Sequence, residues 1–211
     1  MVPAGAVELF FSALVTLAVV VDPPGAAPIF ASLTTAATPA QRRAMAWRAT
    51  LVSGAILLLF AAVGEPFLKA LGISLSAFRV AGGILLFLIA ADMVFETRTR
   101  RRQERADRVR AERVEDVSIF PMAMPMIAGP GSIAAIMLLA GRAGTPIELA
   151  AVYLALGLVL AATLAAMLAA GPLMRWVGPK VEAMITRLLG VILAALAAQI
   201  ALDGLKQFFA A

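Results

Sequence analysis

Two long apolar runs in this sequence are each broken by proline and glycine, and these breaks limit what the chain can fold into more than any other feature. The first is Asp22-Pro23-Pro24-Gly25 and the second is Ala128-Gly129-Pro130-Gly131. Proline removes a backbone donor and clashes with the preceding turn, and glycine adds no side chain to stiffen the backbone, so neither stretch continues as a regular helix. The surroundings are suited to hydrocarbon, since 62% of the chain is hydrophobic, 15% is charged and the mean hydropathy is +0.95. Irregular backbone survives at membrane depth only where protein buries it or where it lines a cavity. Each break therefore predicts a polar site inside a bundle, not a surface facing lipid.

The chain is too apolar for a soluble globular domain and reads as an all-α, polytopic membrane protein. Its net charge of +5 does not imply nucleic acid as a partner, because the eighteen basic residues gather between the apolar segments. Cysteine and histidine are both absent, which excludes disulfides, zinc-thiolate sites, histidine-ligated haem and serine-histidine dyads. No cofactor and no bound metal are expected. No basic leader precedes the first apolar run, so that run is read as a span and not as a removed signal peptide.

Residues 7–21 are too few to cross about 30 Å of hydrocarbon at about 1.5 Å per residue, and residues 26–35 supply the missing length. Span one is thus broken within the bilayer. Span two covers 45–64 and is expected to stop at Glu65-Pro66. Span three covers 74–95, with Ser74 and Ser76 as caps and Gly82-Gly83 suited to close helix contact. Span four, 118–140, is interrupted by Pro121, Pro125 and the second break, and spans five (147–170) and six (184–208) complete the count. Between the halves, residues 96–117 carry eight arginines against six acids. That mixture predicts a solvated helix or loop, not a ligand site. The expected organisation is a three-helix repeat at 1–95, a charged linker at 96–117 and a second three-helix repeat at 118–211.

If both termini lie on one side, the opposite side receives fourteen of the eighteen basic residues: Arg42, Arg43 and Arg48, the linker arginines, and Arg175, Lys180 and Arg187. By the positive-inside rule the linker is cytoplasmic and the termini face out. Pro24-Gly25 falls over Pro130-Gly131 at an offset of 106 residues, and Arg79-x-x-Gly82 over Arg187-x-x-Gly190 at 108. Chance can place one such pair in an Ala-, Gly- and Leu-rich chain. Two pairs in register suggest duplication, and because each half has three spans the second copy is inverted. Inverted repeats with paired interrupted segments mark midplane binding sites in secondary transporters.

A half-helix starting at mid-depth presents free N–H groups and the positive end of its dipole, which suits a carboxylate. Carbonyls ending the preceding halves suit an ammonium or a coupling cation such as a proton or sodium ion. The candidate binding residues are Asp22, Pro23, Pro24, Gly25 and Ala26 at the first break and Ala128, Gly129, Pro130, Gly131 and Ser132 at the second. Asp22 has two readings, as a contact for substrate ammonium or a transport proton, and as a cap for the second half-helix. Asp92, Asp203, Arg79 and Arg187 lie near span ends and are read as interfacial.

The sequence runs Asp22-Pro-Pro-Gly-x-x-Pro28-Ile29-Phe30, Arg79-x-Ala-Gly82-Gly83, Pro125-x-x-Ala128-Gly129-Pro130-Gly131 and Arg187-x-x-Gly190 resemble the MarC family of bacterial and archaeal membrane proteins, across nearly the whole chain. The resemblance implies an inner-membrane protein related to the wider lysine-exporter-like transporter superfamily. It also implies transport of small neutral amino acids such as glycine and alanine. Members often carry asparagine after the first glycine where this chain has Ala26, so an amide contact there does not carry over.

The expected function is a secondary transporter of small neutral amino acids or similar small zwitterions by alternating access, the two halves rocking about a midplane site between the two broken helices, with a small-molecule substrate, the lipid bilayer as its surroundings and a homo-oligomer allowed for. A channel or pore for a small solute or ion is the alternative, since half-helices also build selectivity sites. An aspartyl protease using Asp22 and Asp92 needs two carboxylates sharing a proton, and their depths differ by about half a bilayer. The chain is therefore not expected to be an enzyme.

Overall fold

A computed structural model describes residues 4–95, 97, 101–104, 106–107 and 116–210, with the side chains of 171–180 and 182–183 excepted. Most of the expectation for the linker, and the side chains of Arg175 and Lys180 in the charge count, lie outside the described residues.

Among the described residues every regular element is helical. Helix α1 (Ala4–Val21) passes through Asp22 into α2 (Pro23–Leu33). Thr38 then starts α3 (Pro39–Ala70) with a capping box, its hydroxyl accepting from the Gln41 N–H at 3.3 Å while the Gln41 side chain accepts from the Thr38 N–H at 2.9 Å. The expected stop at Glu65-Pro66 does not occur, because one proline removes only one amide and Lys69 pairs with Glu65 a turn later at 2.8 Å. The helix ends where Gly72 takes a positive φ of 70°. Gly72 N–H then reaches the Lys69 carbonyl at 3.0 Å and Ile73 N–H the Leu68 carbonyl at 2.9 Å, a paired closure that needs a residue tolerant of the left-handed region. Ser74 caps α4 (Leu75–Val94) as expected, accepting from the Ala77 N–H at 3.1 Å.

The second half opens with α5 (Ser118–Ile127), an irregular coil whose amides reach five residues back: Met122 N–H bonds the Val117 carbonyl and Ala128 N–H the Ala123 carbonyl. Phe120 and Met124, each ahead of a proline, are driven into extended backbone. Then follow α6 (Pro130–Ala140), α7 (Pro146–Leu168, capped by Thr145) and α8 (Ala170–Ala210), a helix that begins ahead of its apolar stretch, which starts at Met184 as expected. Five stretches are long and apolar enough to cross a membrane: Ala4–Leu33, Pro39–Ala70, Leu75–Val94, Pro146–Leu168 and Met184–Ala210. The α5–α6 pair, bent by 54°, makes a sixth when taken as one span.

Helix packing runs mainly between the halves. The α1–α2 span lies on α7, the α5–α6 pair lies on α3, and α4 makes its broadest contact with α8. A Cβ on Gly83 would sit 2.8 Å from the Ala197 carbonyl oxygen, so the α4 and α8 backbones nearly touch, as the Gly82-Gly83 pair implied. Large side chains such as Leu17, Phe30, Leu57, Leu86 and Met122 fill the interior. Leu51, Leu59, Leu88, Leu154, Leu188 and Leu202 point outward, as a lipid-facing surface requires. The α5–α6 elbow is thereby held inside the bundle, against α1, α3 and α4.

Candidate functional site

At the first break the chain turns through a single residue, Asp22, in the left-handed region (φ 60°, ψ 67°), a conformation aspartate tolerates better than most residues. All four opening amide positions of α2 are accounted for. Pro23 and Pro24 have no N–H, Gly25 N–H donates to Asp22 Oδ1 at 3.1 Å, and Ala26 N–H donates to the Asp22 carbonyl at 3.0 Å. The capping reading of Asp22 therefore holds. Its second oxygen, Oδ2, accepts from Arg102 Nη1 at 2.9 Å, and both residues are buried, 2% and 8% exposed. Gly25 is needed for this pair, because a Cβ there would fall 2.2 Å from Asp22 Oδ2.

The second break is built differently. Gly129 is extended and has no side chain to cap α6, and Pro130 has no N–H. Ile133 N–H reaches the Gly129 carbonyl at 3.0 Å, but the N–H groups of Gly131 and Ser132 find no acceptor among the described residues. The Ser132 hydroxyl likewise has no partner among them, although the residue is only 2% exposed. These groups face a cavity of 320 Å³. One wall is the break itself, Pro125 and Met126 with Gly129 to Ser132; Val20 and Ile89 close two sides, and Asp92, Arg101 and Arg102 line the remainder. Arg101 pairs with Asp92 at 2.7 Å.

Of the ten expected site residues, the cavity gathers Gly129, Pro130, Gly131 and Ser132, while Ala128 is buried behind them. Asp22, Pro23, Pro24, Gly25 and Ala26 do not line it. They connect to it through Arg102, which bonds Asp22 and lines the hollow. The expectation that both half-helices offer free amides is corrected at the first break, where Asp22 has satisfied them. The linker, read as solvated, supplies two site arginines. Asp92, read as interfacial, belongs to the cavity wall.

Two other charged features lie away from the breaks. At the far ends of α4 and α8, Arg79 donates to the Gly141 carbonyl at 3.2 Å and to Gln207, beside a cavity of 390 Å³ lined also by Arg142, Asp203 and Lys206. That cavity sits at helix ends, where charge is ordinary, and interrupts no helix. Ahead of α5, Asp116 accepts from the Ser118 N–H at 2.9 Å and pairs with Arg48. Hydrogen bonding from Ser118, with a smaller contribution from Arg48, holds its carboxyl below the ordinary carboxylate value. Among the described residues, no group of three metal-ligating side chains occurs.

The model of the MarC family of integral membrane proteins matches residues 7–209. The chain belongs to that family. Over 209 residues this MarC protein is 32% identical to a UPF0056 membrane protein of Archaeoglobus fulgidus, covering 97% of this chain and 95% of that one. It is 36% identical over 202 residues to a UPF0056 membrane protein of Methanocaldococcus jannaschii (94% and 97% covered) and 32% identical over 197 residues to the UPF0056 inner membrane protein YhgN of Escherichia coli strain K12 (93% and 96%). No solved structure matches it.

Proposed function

We propose that this MarC protein is a secondary transporter of small neutral amino acids or similar small zwitterions, with the cavity at the second break as its substrate site. The observation that supports this most is the uncapped start of α6 opening onto a cavity within an apolar bundle. Unpaired amides inside a membrane protein are expensive unless something visits them. The substrate carboxylate faces the Gly131 and Ser132 amides and its ammonium faces the carbonyl end of α5. A volume of 320 Å³ lies at the small end of the range for ligand pockets, about 300–1,000 Å³, which favours a small solute.

The packing pattern supports an inverted repeat. Exchanging α1–α2 with α5–α6, α3 with α7 and α4 with α8 carries the α1–α7 packing onto α5–α3, carries α2–α8 onto α6–α4, and leaves the α4–α8 seam in place. Since packing crosses between the halves, the moving bodies are not residues 1–95 against 118–211. The tightly packed α4–α8 pair shifting against the other four spans is the simpler motion. We place the protein in the plasma membrane, as the name of the Escherichia coli relative suggests, with the linker cytoplasmic and both termini outside. No enzymatic role is proposed, since Asp22 and Asp92 pair with different arginines and not with each other.

Counterflow in proteoliposomes preloaded with unlabelled glycine or alanine tests the reading. Saturable accumulation of the labelled amino acid is expected. Flux that rises without saturation would instead indicate a channel, and no flux with any small amino acid would remove the substrate assignment.

A further inference from the structure

We propose that Arg102, Ser132 and the first amides of α6 form a carboxylate subsite, in which Asp22 is the residue that positions Arg102 and does not itself read the substrate. This deepens the transport reading and rests on the same cavity. Three observations converge on it. The Gly131 and Ser132 amides have no acceptor, and the dipole of α6 favours negative charge beside them. Ser132, 2% exposed as a residue, lines the same hollow, and no hydrogen bond joins its hydroxyl to a described residue. Arg102, 8% exposed, lines that hollow, and Nη1 to Asp22 is its one hydrogen bond to the described residues, so among these the other guanidinium N–H groups have no acceptor.

The alternative, in which Asp22 holds the substrate ammonium, conflicts with the geometry. One Asp22 oxygen caps Gly25, the other accepts from Arg102, and Asp22 does not line the cavity. Arg101 is the other cation in the wall, but its partner Asp92 lines the cavity too, so that pair presents both signs to the guest. In the Arg102 pair the carboxylate is set behind the guanidinium, and the cavity meets the positive partner alone. A buried arginine held by a carboxylate behind it is well suited to binding a second carboxylate in front.

The chain contains no cysteine, which allows a direct test with a single reporter thiol. The purified full-length Ser132→Cys protein in proteoliposomes is treated with an anionic methanethiosulfonate (sulfonatoethyl) and a cationic one (trimethylammonioethyl), each rate being normalised to the same reagent with 2-mercaptoethanol in solution. A preference for the anionic reagent is expected, and adding Arg102→Gln should lower the anionic-to-cationic ratio at least ~tenfold. Because Arg102→Gln leaves Asp22 unpaired, the same reporter is also placed in an Arg102→Gln, Asp22→Asn background, which removes a cation and an anion together and so keeps the net charge. Loss of the preference there too assigns it to Arg102, while Asp22→Asn alone should retain it. Equal rates in the parent, a preference that survives both arginine replacements, or no reaction with either reagent would overturn the subsite. Alanine counterflow by the wild-type protein is a separate readout. Anion preference without alanine flux leaves the subsite standing and removes the transport substrate, whereas flux without the preference sinks the subsite alone.

Discussion

At the first break the residue that interrupts the helix is an aspartate, which caps Gly25 with one oxygen and holds Arg102 with the other; at the second the corresponding duty falls to Gly129, which has no side chain to offer. Two interruptions at matching places in their halves thus end as chemical opposites. The first is sealed, with its opening amides either absent or satisfied, and the second is left open on a cavity. A helix break in a membrane protein does not by itself make a binding site. What decides is whether the local sequence can satisfy its own backbone, and only where it cannot is there free energy left for a guest.

The sharpest way to break this contrast is to unseal the first break. Arg102→Ala leaves the Asp22 carboxylate buried and unpaired, which typically costs about 3–5 kcal/mol. A large fall in the midpoint of thermal unfolding in detergent is expected. Adding Asp22→Asn should recover most of the loss, because the amide oxygen still accepts from Gly25 and no charge is stranded. Additive losses in the double variant would mean that the pair is not coupled, and the first break would then need another explanation for its closure.

Glycine replacements test the two breaks at the next level of effect. A Cβ on Gly129 would lie 2.3 Å from the Pro125 carbonyl oxygen, a backbone atom that cannot swing away, so Gly129→Ala should cost about 1–3 kcal/mol in stability. On Gly131 the Cβ would meet the free end of the Ile89 side chain at 2.2 Å, which can rotate aside. Gly131→Ala should therefore destabilise less, while narrowing the cavity and reducing flux. Equal unfolding midpoints for the two variants would show that the elbow tolerates a side chain at either position.

The difference between the breaks was half visible in the sequence. Five spans, with the bent α5–α6 pair as a sixth when taken as one, both interruptions, the Ser74 cap and the Gly82-Gly83 contact followed from hydropathy and from rules that act within a few residues. At the offset of 106 that aligns Pro24 with Pro130, Asp22 falls opposite Ala128, and neither Ala128 nor Gly129, the residue that starts α6, has a polar side chain, so the missing cap could be read from the sequence. The partner of Asp22 was harder to see, because Arg102 lies 80 residues away in a stretch whose composition resembles a solvated helix. One signal was present all the same. The linker has two more arginines than acids, and two carboxylates in the neighbouring apolar segments, Asp22 and Asp92, needed cations. The five-residue amide spacing of α5 was not legible from local rules, and the run of α3 past Pro66 was missed because a single lost amide does not by itself end a helix.

A smaller effect is expected where the chain enters α5. Asp116 has its carboxyl held below the ordinary value in the folded protein, so its contribution is present above the unfolded value near ~3.9 and is lost as pH falls through the lower folded one. Both Asp116 and Arg48 are substantially exposed, which keeps a pair of this kind to ~0.5 kcal/mol or less. Unfolding midpoints measured from pH 5 downward should fall slightly more steeply for the wild type than for Asp116→Asn. Identical slopes would mean that the entry to the second break gains nothing from this anchor.

The smallest change in stability should come from the residue with the largest proposed role in recognition. The Ser132 hydroxyl bonds no described residue, so Ser132→Ala removes no hydrogen bond among them and should shift the unfolding free energy by no more than about 0.5 kcal/mol. Asp22→Ala, by comparison, deletes both a cap and an ion pair. If Ser132 donates to the substrate, its replacement should raise the half-saturating concentration for alanine counterflow several-fold, as expected for losing about one hydrogen bond to a charged group. A variant that is as stable as the wild type yet transports with weakened affinity would separate holding the fold from holding the guest. Unchanged affinity would show that the open amides of α6 work without the hydroxyl beside them, and a loss of stability instead would place Ser132 with Asp22 among the groups that close the structure.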